Sequence, residues 1–84
     1  MENDVLILYL LSIGYHELVD TETNSGVVGC FQFMYTHGIV CGITKDFYNH
    51  RYCYHTRLDA VSALRDWQEI DFQGEPKDFI KRKG

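Results

Sequence analysis

The side chains best suited to bind a metal ion lie in the middle of the sequence, where three histidines and two cysteines fall within about twenty residues. They are His37, Cys41, His50, Cys53 and His55, with Cys30 nearby. Structural zinc sites usually take ligands from closely spaced pairs, such as two cysteines separated by two residues. The nearest pairs here, Cys53 with His55 and His37 with Cys41, permit a metal without defining a site. We therefore expect no metal and no cofactor. Sequestration of a metal or small molecule by Cys53 and His55 is a hypothesis that ranks below the protein-binding and nucleic-acid-binding hypotheses given below.

The same cysteines are the candidates for nucleophilic catalysis. A catalytic cysteine needs a base within hydrogen-bond reach and an electropositive, partly exposed setting. Cys53 with His55, or Cys30 with His37, could form such a pair, but the body of the chain, residues 1–76, is acidic overall and supplies no electropositive setting. There is no glycine-rich phosphate-binding loop, and 84 residues leave little room for a substrate pocket. We expect a protein that is not an enzyme and has no catalytic residues.

A run of aromatic and basic residues predicts a surface that contacts a partner. Its members are Tyr48, His50, Arg51, Tyr52 and Tyr54, with Lys81, Arg82 and Lys83 as an electrostatic rim. Tyrosine and arginine are enriched at the cores of protein interfaces, and they also stack on nucleic-acid bases. Residues 1–76 hold eleven acidic side chains against four basic ones, whereas the last eight residues hold four basic ones against one acidic. Because nucleic-acid affinity depends on neutralised phosphates, the acidic body favours a protein partner and leaves nucleic acid as the alternative.

The hydrophobic pattern predicts the elements that position these residues. We expect a helix over Val5–Ile13, strands over Tyr15–Val19, Val27–Tyr35, Ile39–Thr44 and His50–Tyr54, and a helix from the N-cap Thr56 to Trp67. Short turns between successive strands predict a meander. The fold class is therefore α+β: a small antiparallel sheet of three or four strands, a short N-terminal helix, and a second helix packed on the sheet. With both helices on one face, the domain would have two layers.

The predicted domain covers residues 1–76, and the sequence Gly74-Glu75-Pro76 ends its last regular element. Residues 77–84 form a short basic tail. Phe79 and Ile80 within it predict that the tail docks on the sheet and leaves its cations in water.

Several features bear on location and assembly. Three cysteines make a poor disulfide framework, the N-terminus begins with acids rather than a basic signal region, and the apolar run of nine residues is shorter than the ~20 that span a bilayer. These features predict a cytoplasmic protein with free thiols and no membrane partner. The helix Val5–Ile13 is apolar nearly all round, which favours self-association through this helix or through a sheet edge.

The C-terminal half has a pattern of its own. It reads Arg51-Tyr52-Cys53-Tyr54, an alanine-containing helix ending in Trp67, Gly74-Glu75-Pro76, and a close at Ile80-Lys81-Arg82-Lys83-Gly84. Residues 39–84 resemble a group of short, uncharacterised proteins from phages and prophages. The chain departs from that pattern where Phe79 stands in place of a tryptophan and where Gln68–Gln73 makes a longer connection. The resemblance implies a phage-associated origin and transfers no functional residues.

Together these observations predict a small accessory or inhibitory protein that binds a host or defence-system protein and blocks or redirects it. The alternative is a nucleic-acid-binding module that uses the same aromatic and basic strand together with the tail.

Overall fold

The computed structural model describes residues 3–81. The elements are α1 (Asp4–Ser12), β1 (His16–Asp20), β2 (Val27–Gln32), β3 (His37–Cys41), β4 (His50–Tyr54) and α2 (Arg57–Glu69). The four strands pair antiparallel in the order β1-β2-β3-β4, so the predicted α+β meander with two helices is confirmed. Within the described residues, neither helix has the length and apolar content needed to cross a membrane.

Helix α2 covers one face of the sheet. It begins at Thr56, whose side-chain oxygen accepts a hydrogen bond of 3.1 Å from the Asp59 amide, as an N-cap should. Apolar residues at helical spacing then give α2 a single buried stripe. That stripe consists of Ala60, Ala63, Leu64 and Trp67, and it packs on Val28, Cys30, Ile39, Cys41 and Tyr54.

Helix α1 lies on the opposite face of the sheet. Its buried residue, Leu10, packs with Val27, Val40 and Ile43 in a second core. Successive residues of a strand point to opposite faces, so Val27 faces α1 while its neighbour Val28 faces α2. The domain therefore has three layers, and the expectation of both helices on one face was wrong. Strands β2 and β3 are apolar on both sides, and each side needs a cover.

The ends of α1 depend on local contacts. Asn3 occupies the N-cap position, but its side-chain amide donates to the Asp20 carboxylate at 2.8 Å and makes no cap hydrogen bond. The helix therefore starts tied to the end of β1. It ends before Gly14, which adopts the left-handed φ of +112° that favours glycine at this position.

The β2–β3 connection differs from the predicted one. Strand β2 was expected to run to Tyr35, but it ends at Gln32, and the Phe33 amide donates to the Thr36 carbonyl at 2.8 Å across a tight turn. His37 and Gly38, expected in the turn, belong to β3. Three large apolar residues, Phe33, Met34 and Tyr35, are thereby moved from a strand to the tip of a hairpin.

Candidate functional site

The alternation of side chains along β4 divides the predicted contact residues between the two faces of the sheet. In the register with β3, Tyr52 lies opposite Ile39 and Tyr54 opposite His37, on the face that α2 covers. Arg51 lies opposite Val40, on the other face. The aromatic and basic strand is therefore not one surface, and its tyrosines and its arginine have different roles.

Tyr54, which was predicted as a contact residue, belongs to the core on the α2 side. It is only 2% exposed, and its hydroxyl donates to the Lys77 carbonyl at 2.8 Å. Burial raises the pKa of this phenol above its ordinary value. The hydrogen bond to Lys77 ties the start of the C-terminal segment to β4. Because the Tyr54 side chain faces the packed helix α2, almost none of its surface is open to a partner.

Tyr52 is half-buried and shares this structural role. Its ring makes edge contacts with Trp67 and Phe79, at centroid distances of 6.0 and 5.0 Å. His50 precedes Tyr52 by two residues on the same face of β4. Its ring centroid lies 6.4 Å from that of Tyr52, and the residue is exposed. Together these rings form an aromatic cluster over which the C-terminal segment passes.

The segment 77–81 contacts β4 at one further point, where the Ile80 amide donates to the Cys53 carbonyl at 2.8 Å. Within the segment, the Lys81 ammonium lies 6.0 Å from the centre of the Phe79 ring. Lys77 instead pairs with the Asp66 carboxylate at 3.0 Å on α2. Of the predicted basic rim, Lys81 is exposed at this edge, and Arg82 and Lys83 lie outside the described residues.

Tyr48 lies away from the other predicted contact residues. It packs with the core on the α1 side, and its ring stacks on that of Phe47 at 5.7 Å. Phe47 is exposed and was not among the predicted contacts. The predicted set therefore separates into the β4 edge and this loop.

An open groove forms along the outer edge of β4, between the β2–β3 hairpin and the C-terminal segment. It has a volume of about 680 Å³ and is lined by Phe33, Met34, Tyr35, Thr36, Arg51, Tyr52, Cys53, Phe79 and Ile80. Three of the predicted partner-binding residues are near it: Arg51 and Tyr52 line it, and Lys81 follows Ile80. We call this the hairpin groove.

The hairpin groove is shaped by Phe33. The Phe33 ring folds back over Gly38, where a Cβ atom would come within 2.6 Å of it. Arg51 then lies over the same ring, with its guanidinium carbon 4.5 Å from the centroid, a cation–π arrangement. The glycine is needed because the ring occupies the place of its missing side chain.

Met34 and Tyr35 form the outer wall of the groove and are 84% and 88% exposed. Large apolar side chains that exposed at the tip of a hairpin contribute little to the fold. Sequence reasoning placed them in a strand. The sequence did contain a signal for the hairpin tip: the apolar residues Phe33-Met34-Tyr35 stand directly before the turn-forming residues Thr36-His37-Gly38.

Two of the three cysteines are buried in the core on the α2 side. Burial raises the pKa of the Cys30 and Cys41 thiols to about 12, so both stay protonated near neutral pH. Cys53 is partly exposed on the groove side, while His55 is exposed just beyond β4. Among residues 3–81, no three side chains of the metal-binding types are grouped closely enough to hold an ion.

Two histidines have buried ring nitrogens on the α2 face. The Nδ1 atoms of His16 and His37 have no hydrogen-bond partner in the described part of the chain. Burial lowers the pKa of His16, and the nearby Arg57 lowers it further. Both effects favour the neutral ring, which is consistent with a packing role for His16.

No protein-family model, curated protein or solved structure matches the chain. The candidate function therefore rests on the residues of the hairpin groove.

Proposed function

We propose that this domain is a non-enzymatic binding protein that holds part of another protein in the hairpin groove. One observation carries the proposal: a largely apolar groove whose outer wall, Met34 and Tyr35, is almost fully exposed. Tyr, Phe, Met and Arg are the residue types enriched at the cores of protein interfaces, and all four line this groove. A partner that covers the hairpin tip would bury apolar surface that the monomer leaves in water.

The biological role that fits such a domain is that of an accessory or inhibitory protein. It would act by occupying its partner's surface, since the groove offers contact area and a single charged side chain, Arg51. The resemblance of residues 39–84 to short phage and prophage proteins supports a host or defence-system protein as that partner. A reducing cytoplasm is the proposed setting, because the described cysteines are free.

The experiment is a differential affinity capture from the host. Immobilised wild-type domain is compared with a Met34→Ser/Tyr35→Ser variant and with Leu58→Ser, a matched control at a 73% exposed position of α2. Wild type and Leu58→Ser should retain the same discrete protein, and the groove variant should lose it while melting at a similar temperature. Equal capture by all three proteins would refute the groove as the binding site.

Nucleic-acid binding is the second candidate, favoured by Arg51 in the groove, by the exposed Lys81 next to the groove residue Ile80, and by the exposed Tyr35 ring. Aromatic stacking combined with cations is how single strands are held without sequence preference. This role predicts binding of mixed DNA or RNA at low salt, with affinity falling steeply as salt rises. Absence of binding at about 50 mM salt rules it out.

We also propose weak self-association through α1. The outer side of this helix is apolar, with Val5 77% and Leu8 67% exposed and Leu11 beside them. A helix of nine residues is only about 14 Å long, while stable interfaces take about 800 Å² from each partner. We therefore expect dimers only at high concentration. Sedimentation of wild type and Leu8→Glu tests this: monomers at every concentration for wild type contradict it.

A further inference from the structure

The groove has a sign of charge opposite to that of the rest of the protein. The chain holds twelve acidic and eight basic side chains, yet the residues that line the groove include no acid and one base, Arg51. Lys81 adds a second exposed cation next to Ile80. An acidic ligand would therefore be attracted to this groove and repelled by most other surfaces of the domain.

The Arg51 side chain has free hydrogen-bonding capacity. Its guanidinium stacks on the Phe33 ring and has no ion-pair partner among residues 3–81. A guanidinium carries five N–H donors in a planar fork, and this fork matches the two oxygens of a carboxylate. The contact with the ring restrains the side chain in advance, so less side-chain freedom is lost when a carboxylate binds.

Strand β4 also offers a backbone edge. It is the last strand of the sheet, and its Cys53 carbonyl already accepts a hydrogen bond from the Ile80 amide on the outer side. Alternate residues of an antiparallel strand turn their backbone groups to the same side, so the amide and carbonyl of Arg51 point to this outer edge too. An extended segment can pair with the edge beside Arg51 and place alternate side chains in the groove.

We infer, on the basis of the proposed function, that the occupant of the hairpin groove is an extended acidic segment with a large apolar side chain. A carboxylate of this segment binds the Arg51 guanidinium. Its apolar side chain lies between the Phe33 ring and the wall formed by Met34 and Tyr35, and its backbone pairs with β4 next to the C-terminal segment.

The test is selection from a displayed library of random 12-residue peptides on immobilised domain. Peptides enriched on wild type should carry a net negative charge and at least one aromatic or large aliphatic residue. Arg51→Glu should reverse the preference toward basic peptides. The control Arg65→Glu changes the same charge at an exposed position of α2 and should leave the acidic preference unchanged.

A selected acidic peptide is then measured by fluorescence anisotropy. Arg51→Glu should weaken its binding about tenfold or more, because hydrogen bonds to charged groups are among the strongest that proteins make. Arg51→Lys should restore only part of the loss, since an ammonium lacks the planar fork. Binding should weaken as salt rises, as expected for an exposed charge pair.

Other outcomes overturn the inference. Enrichment of neutral or basic peptides on wild type, or equal binding by wild type and Arg51→Glu, means that the occupant is not acidic. Displacement of the peptide by a short single-stranded oligonucleotide at equal concentration would assign the groove to nucleic acid. If no peptide is enriched while host protein is still captured through Met34 and Tyr35, this inference fails and the proposed function stands. If that capture fails as well, both are wrong.

Discussion

Gly38→Ala is the substitution that most directly tests how the hairpin groove is built. The new Cβ atom would lie 2.6 Å from Cε2 and 3.2 Å from Cδ2 of Phe33, and 3.3 Å from Cγ of Arg51. Overpacking of this kind costs about 1–3 kcal/mol. Gly38 lies within β3 and has no positive φ, so alanine should recover about 0.5–1 kcal/mol through its lower backbone entropy. We expect a net loss of up to about 2.5 kcal/mol in the free energy of unfolding, with about 1 kcal/mol as the central value.

The assay is urea unfolding within a double-mutant cycle with Phe33→Ala. Without the Phe33 ring, Gly38→Ala has room and should be neutral or stabilising by about 0.5 kcal/mol. The two substitutions should therefore couple by more than about 1 kcal/mol. An equal cost of Gly38→Ala in both backgrounds would refute the packing of Phe33 over Gly38, and with it the shape of the groove.

The remaining predictions concern the C-terminal segment and the thiols. Tyr54→Phe removes the hydrogen bond to Lys77 and should lower the free energy of unfolding by about 0.5–1.5 kcal/mol. It should also speed proteolysis within residues 77–81. An unchanged rate of cleavage would contradict the role of Tyr54 in holding this segment. In native protein a thiol reagent should label Cys53 rapidly and the buried Cys30 and Cys41 only on unfolding, and rapid labelling of all three would contradict their burial. Burial raises the pKa of the Cys30 and Cys41 thiols to about 12, whereas a cysteine in the unfolded chain titrates near ~8.5. The unfolded state therefore loses these protons first, and the free energy of unfolding should fall as pH rises from ~8.5 toward 12. A Cys30→Ala/Cys41→Ala variant should show a smaller fall by urea unfolding across this range, and an identical fall would contradict this assignment.

Local signals in the sequence were sufficient for much of the fold. Thr56 followed by apolar residues at helical spacing predicted α2 and its N-cap, because these depend on neighbours within one element. The strand His50–Tyr54 was predicted with the bounds that the structure has. Short turns limited the strand order to a meander, as observed.

The side of the sheet on which α1 packs could not be predicted in the same way. Strands β2 and β3 are apolar on both faces, so the pattern allowed α1 to lie beside α2 or opposite it. The choice depends on the path of the chain through Gly14 and Tyr15 into β1. That path is a three-dimensional property that periodicity does not record.

The candidate site was predicted only in part, for a similar reason. The alternation of β4 put Arg51 and Tyr52 on different faces, but the sequence did not show which face α2 would cover. Tyr54, predicted as a contact, lies in the core. The groove itself depends on a tertiary contact, the Phe33 ring over Gly38. Residues of the hairpin, β4 and the C-terminal segment meet there although they are distant in sequence.

Photo-crosslinking tests the central claim most directly. A benzophenone side chain is placed at Met34 on the groove wall or, as a control, at Leu58 on α2, and each protein is irradiated inside living cells. We expect one discrete protein adduct from position 34 and none from position 58. An adduct from position 58 alone, or no adduct from position 34, would contradict binding in the hairpin groove.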